Sequence, residues 1–311
     1  MSDAILEYSL TEVAAGIRRK EFSSEEVTRN CLEKIEKLQS KLNCFISIYA
    51  EEAIESAKRA DKAIASGDEI GSLHGVPLAH KDMFYRDGFV STGGSKIQKT
   101  FKPSYTATVL DKLDAAGAIH VGGLNMSEFA SGPVGQNQHF GDCKNPWNIE
   151  CAPGGSSSGS GAAVAARLVY GALGSDTGGS VRIPSALCGL VGIKGTQGRV
   201  SRRGGMPLSF SLDCFGPLAR TALDCARLFC TIAGDDEKDP TASKEPVSDY
   251  EKICSREIKD IRIGIDSTFG GIKPSDEVLE MIKSTVKQYE GLGAKIIEIK
   301  LPDQDELNAL S

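Results

Sequence analysis

From residue 71 onward the chain alternates short apolar segments with helical stretches, a pattern that restricts it to strands layered against helices. Residues 76–79, 118–122 and 189–194 read as strands, with helices over 106–116 and 161–170 between them. Further along, 223–233 and 276–290 read as helices, and 261–265 and 294–299 as strands. Ahead of this region three helices open the chain. Ser9 with Glu12 and Ser23 with Glu26 have the spacing of reciprocal capping boxes, and an alanine-rich helix over 51–65 ends near Gly67. The expected layout is one domain, with a helical segment 1–70 packed on an α/β core 71–311. The polar, proline-bearing stretch 234–260 reads as a surface connection.

With 311 residues, 40% of them hydrophobic and 25% charged, the chain can bury a sizeable core. Its net charge of -6 is scattered, without the block of like charges that a nucleic-acid arm or a membrane-surface patch would carry. Nine cysteines include no C-x-x-C pair, which argues for reduced thiols and against a disulfide framework or a zinc ribbon. Residues 1–20 lack the basic-then-apolar pattern of a signal peptide, and no run of eighteen apolar residues occurs. These features make a cytoplasmic protein the expectation.

Two runs of small residues interrupt the α/β pattern: Gly154–Gly161, "GGSSSGSG", and Gly174–Pro184, "GSDTGGSVRIP". A flexible linker fits poorly, because apolar helical and strand-like sequence flanks both closely. A phosphate cradle also fits poorly, because the first run follows Cys151-Ala-Pro153 where a strand would be needed, and no G-K-[ST] follows. "GSSSG" matches the nucleophile elbow of α/β-hydrolases, but that arrangement needs a histidine after the serine. All four histidines (74, 80, 120 and 139) precede it. A serine nucleophile without histidine needs another base, and a buried lysine can serve once its pKa is lowered. Lys81, directly after the apolar segment 76–79, is such a lysine, or else a solvated charge at a strand end.

Six stretches together resemble the amidase signature family, in order and spacing. They are "GSLHGVPLAHKD" (71–82), "LNMSEFASG" (124–132), "KNPWN" (144–148), "PGGSSSGSGAAVAA" (153–166), "GSDTGGSVRIPSALCGLVGIKGT" (174–196) and "SLDCFGPLAR" (211–220). The resemblance is strong from about 71 to 233 and weak over the N-terminal helices. It implies an α/β amidase signature fold, a large mixed sheet flanked by helices on both faces, here incomplete at the C-terminal end. It also implies a Ser/Ser/Lys triad. The nucleophile falls on Ser180, the bridging serine on Ser156, 24 residues upstream, and the base on Lys81. The bridging serine is expected to follow a cis peptide bond.

On this reading the amide N–H groups of Thr177, Gly178, Gly179 and Ser180 form an oxyanion hole. Asp176 and Arg182 brace the turn as a charge pair, and Asp82 serves as a turn cap. Ser157 either donates to the relay or satisfies a helix N-terminus. Met83, Phe84, Ser131 and Gly132 are expected substrate contacts. The implied substrate is a small linear carboxamide, with no cofactor, no metal, no direct nucleic-acid or membrane partner, and a homodimer allowed.

Three functions follow from the resemblance: a free-standing amidase, the glutaminase subunit of the tRNA-dependent amidotransferase, and a non-catalytic scaffold that retains the fold. The amidotransferase's glutaminase usually carries "SLDQIGP" and "TNMDEFAMGSS" type stretches. Here Ser211–Pro217 reads "SLDCFGP" and 124–133 reads "LNMSEFASGP", which leans toward the free-standing enzyme. Gly195 stands where proline is common, and Cys214 where threonine or glutamine is common. Family members also continue well past "LPDQDELNAL", so a protein ending at Ser311 is expected to be unstable or inactive through an unpaired sheet edge.

Overall fold

The chain's computed structural model describes residues 2–271, 273–303, 305 and 306, so Ser311 lies outside the described residues. The N-terminal region folds as α1 (Ser2–Ile5), α2 (Leu10–Arg18) and α3 (Ser24–Leu42), then β1 (Phe45–Ile48) and α4 (Ala50–Ser66). Ser9 forms the full reciprocal box with Glu12. Ser23 forms only the forward half, accepting from the Glu26 amide. Asp61 on α4 takes the first-turn amides of Ser24 and Glu25 at 2.7 and 3.0 Å. Gly67, at φ +78°, ends α4 in the left-handed conformation that its lack of a side chain permits.

Next come β2 (Pro77–Lys81), α5 (Thr108–Ala115), β3 (Ile119–Leu124), α6 (Ser158–Ala165), β4 (Gly171–Asp176), α7 (Arg182–Leu187), β5 (Val191–Gly192), β6 (Cys214–Ala219), α8 (Ala222–Ile232) and α9 (Tyr250–Cys254). Six strands form one mixed sheet in the order β1-β3-β2-β4-β6-β5. In it β2 runs parallel to both β3 and β4, while β1, β5 and β6 pair antiparallel to their neighbours.

Successive residues of a strand face opposite sides, and the core divides accordingly. Leu78 and Leu173 pack with α2, α5 and α8 on one face, while Ala79 and Ala172 pack with α6 on the other. The chain leaves β2 for β3 on one side and crosses back over α6 to β4 on the other. The carboxyl ends of β2 and β4 therefore flank a switch point, where open α/β sheets place ligand crevices.

The strands expected from the sequence do not include β1, β4 or β6. In β4, "GALGSD" lacks the β-branched residues typical of strands, yet all six of its residues are buried. Small residues are required there: a Cβ on Gly171 would lie 2.7 Å from Leu228 Cδ1, and one on Gly174 would lie 2.6 Å from Ser157 Oγ.

Helices α2 and α3 share one core with β2, and the chain forms two compact units that meet in sequence between Cys254 and Ser255. The second unit holds β7 (Arg262–Ile265), α10 (Asp276–Gly291) and β8 (Lys295–Glu298), with β7 and β8 paired in a parallel two-stranded sheet of their own.

Helix α6 docks through Gly159, whose amide donates to the Asn125 carbonyl at 2.8 Å. A Cβ there would lie 2.3 Å from the Cys44 carbonyl oxygen and 2.5 Å from the Asn125 nitrogen, both backbone atoms that cannot swing aside. Gly159→Ala is expected to destabilise the first unit by about 2–3 kcal/mol, as overpacking does. Chemical denaturation of the variant beside the wild type measures this.

Candidate active site

Lys81 is the last residue of β2 and is fully buried. Its Nζ donates to Ser156 Oγ at 2.6 Å and to Ser175 Oγ at 2.9 Å. Burial pushes the amine down to about 7, against the opposing pull of Asp176 and Asp213. A group ordinarily protonated at neutral pH is thereby poised to act as a base there.

Ser156 precedes α6. The Gly155–Ser156 peptide bond is cis, and Gly154 has φ +85°. The segment is held from the 127–133 loop: the Ser127 amide donates to the Ser156 carbonyl at 3.1 Å, and the Gly155 amide to Pro133 O at 2.7 Å. A Cβ on Gly155 would lie 2.7 Å from the Gly135 nitrogen and 2.9 Å from the Gly132 oxygen, so only glycine fits. Ser131 and Gly132 are exposed on this side, with Gly132 against Gly155.

Ser180 ends the turn that follows β4 and is half-buried. The turn is organised by the Asp176 carboxylate, which accepts from the amides of Gly179, Val181 and Arg182 at 2.9, 3.1 and 3.2 Å. It also pairs in two-pronged fashion with Arg182, at 3.0 Å to Nε and 2.9 Å to Nη2. Burial pulls the Asp176 pKa upward. The Arg182 hydrogen bonds and the amides outweigh that effect and hold it below the usual carboxylate range. Asp176 and Arg182 thus form an ion pair beside this turn.

Of the four amides expected to form an oxyanion cradle, that of Gly179 is committed to Asp176. The amides of Thr177, Gly178 and Ser180 have no acceptor among the described residues. Gly179 has φ +134°, a conformation that only glycine adopts without strain.

Ser157 does neither of the two things expected of it. It makes no cap bond to α6; its Oγ donates to the Ser175 carbonyl at 3.3 Å and its amide reaches the Ser180 carbonyl at 3.4 Å, tying the helix start to β4 and the turn. Met83 and Phe84, expected against substrate, are buried in the apolar core, where the Phe84 ring packs edge-on to Phe215 at 4.8 Å. Asp82 accepts from the Thr92 amide at 2.8 Å and hydroxyl at 2.5 Å, fixing the chain just after Lys81.

Two participants escape a reading of the sequence alone. Ser175, the second partner of Lys81, looks like one more residue of a Gly/Ser run, and only the β4 pairing brings it beside β2. Asp213 accepts from Thr177 Oγ1 at 2.5 Å and from the amides of Leu208 and Ser209 at 2.9 and 3.0 Å, so it anchors the turn from the side opposite Asp176. Its place in "SLDCFGP" marks the motif without indicating this role.

The Amidase family model matches residues 26–311. A glutamyl-tRNA(Gln) amidotransferase subunit of Chromohalobacter salexigens is 47% identical over 294 residues, covering 94% of this chain and 60% of that protein. Native peptide amidase from Stenotrophomonas maltophilia superposes with a TM-score of 0.90 at 30% identity, covering 97% of this chain and 64% of that one. The corresponding glutamyl-tRNA(Gln) amidotransferase subunit from Thermotoga maritima gives 0.81 at 32% identity, covering 96% and 62%. The chain spans about 60% of the length of the curated relatives it matches. Among the described residues no helix is long and apolar enough to cross a membrane.

The buried lysine has a thermodynamic consequence. Its folded pKa, about 7, lies below the ordinary value of 10.5, so the unfolded chain binds the extra proton between those values. The full cost of burying Lys81 is felt at and below pH 7 and fades as pH rises toward 10.5. Lys81→Met is therefore expected to stabilise the fold by on the order of 3 kcal/mol at pH 7. The gain over wild type should shrink steadily in denaturation series run from pH 7 to pH 10.

Proposed function

Since the chain belongs to the amidase family, we propose that it hydrolyses a primary carboxamide through an acyl-enzyme on Ser180, with Ser156 relaying protons to Lys81. The observation that carries this reading is the Lys81 amine, fully buried with two hydroxyls and no carboxylate as its partners among the described residues. A scaffold has no use for such a group, which costs stability wherever it does no chemistry.

Neutral Lys81 takes the proton of Ser156 as Ser156 takes that of Ser180, and Ser180 Oγ bonds to the amide carbon. The Ser180 hydroxyl, without a partner among the described residues, turns toward Ser156 for this step. The 3.4 Å contact between the Ser157 amide and the Ser180 carbonyl keeps the two segments adjacent. Charge that develops on the carbonyl oxygen faces the amides of Thr177, Gly178 and Ser180. The C–N bond breaks, the proton held by Lys81 returns through Ser156 to the leaving nitrogen, and ammonia departs. Water then attacks the ester, giving up a proton through the same relay. Carboxylic acid leaves and Ser180 is regenerated.

Glutamine is the substrate we assign, with the ammonia delivered to a partner protein. Identity of 47% to the Chromohalobacter amidotransferase chain over nearly the whole length of this one outweighs the two local motif differences that lean toward a free-standing amidase.

Ammonia release from glutamine and from a panel of simple amides tests both parts. Ser180→Ala is expected to lower kcat by about a thousandfold or more, and a fluorophosphonate should label Ser180. A Ser180→Ala variant with full activity would overturn the mechanism; acetamide turned over better than glutamine would restore the free-standing reading. The wild-type kcat/KM should rise with pH through an inflection near 7, as Lys81 loses its proton.

A further inference from the structure

Neighbouring residues of β2 face opposite sides of the sheet, so His80 points away from Lys81 and toward α5. There its ring stacks on that of His120 from β3, with centroids 4.5 Å apart and planes 7° apart. The Nε2 atoms of both rings are buried and lack a hydrogen-bond partner. So does Nε of Arg86, whose other two nitrogens pair with Asp114 at 2.7 and 3.0 Å. All three residues line one crevice of about 10 Å³, room for a single heavy atom. Arg86 and His120 also line a cavity of about 750 Å³ between α4 and α5. Three buried nitrogens without partners are costly unless an ordered water or a ligand meets them.

Their chemistry specifies that ligand. Arg86 Nε can only donate. His80 Nδ1 lies 3.2 Å from the Lys81 carbonyl, an acceptor, so Nδ1 carries the proton and Nε2 offers a lone pair. Burial keeps both rings neutral: it pushes His80 down to about 3, with Arg86 adding to the effect, and it holds His120 well below the ordinary imidazole range. Arg86 Nε therefore calls for an acceptor and His80 Nε2 for an N–H donor beside it. A primary carboxamide has both. A carboxylate has no donor, and in the outer cavity it would meet Glu51, Glu52 and Glu55.

We propose that this pocket binds a small primary carboxamide, its oxygen on Arg86 Nε and its nitrogen in the crevice between the Nε2 atoms of His80 and His120. The site lies across β2 from the Ser180 turn and does not depend on the hydrolase reading.

Long-range ¹H–¹⁵N spectra of the imidazole rings, recorded on the full chain during titration with propionamide, test the proposal. The Nε2 resonances of His80 and His120 are expected to move along one saturable curve, in wild type and in Ser180→Ala alike, while propanoate leaves them in place. His120→Phe keeps an aromatic ring in the stack and removes one polar contact, so it should weaken binding about tenfold without changing fluorophosphonate labelling of Ser180. Resonances that do not move in the wild type, or that move equally with propanoate, would overturn the site. Movement abolished by Ser180→Ala would overturn it too, by tracing the response to the catalytic turn.

Discussion

A single lysine held out of water sets the terms for the rest of this structure. The amine of Lys81 sits at the end of a buried strand, met by Ser156 and Ser175 and by no carboxylate among the described residues. A paired acid would have kept it charged and inert; two hydroxyls let burial win and bring its pKa near neutrality. Each hydroxyl comes from a different element. Ser156 precedes α6, and Ser175 lies in β4, so the lysine is positioned only when β2, β4 and α6 have come together. The site is a product of the switch-point topology and not of any one motif.

The turn that carries Ser180 is rigid for a separate reason. Asp176 gathers three amides and a guanidinium, while Asp213, just before β6, holds Thr177 and also the loop at 208 and 209. The Gly179 amide is committed to Asp176, which leaves those of Thr177, Gly178 and Ser180 for the proposed oxyanion role. Rigid support of this kind is what a transition-state charge requires, because donors that must reorganise during reaction contribute less.

The candidate site is marked in the sequence by motifs that resemble the amidase signature family, and Lys81 and Ser156 from two of them meet at 2.6 Å. Absence of a histidine after the serine run excludes the familiar elbow, and that exclusion directs attention to Lys81. Capping serines and αL glycines also announce themselves, as Ser9 and Gly67 illustrate, because their effects are local. What stays hidden is set by tertiary packing. "GALGSD" has no β-branched residue and is a central strand through its pairing with β2 and β6. Ser175 cannot be told from its neighbours until β4 is paired with β2. The division at 254 and 255 is equally invisible, since β7 and β8 have ordinary strand patterns and differ only in pairing with each other.

The proposed chemistry rests on the protonation of one amine. Direct titration of Lys81 by NMR of its side-chain Nζ and Cε, assigned by comparison with Lys81→Met, reads that property without substrate or partner. A midpoint near 7 is the predicted result. A midpoint near the ordinary lysine value of about 10.4 would contradict it, because the relay through Ser156 would then have no base to drain into.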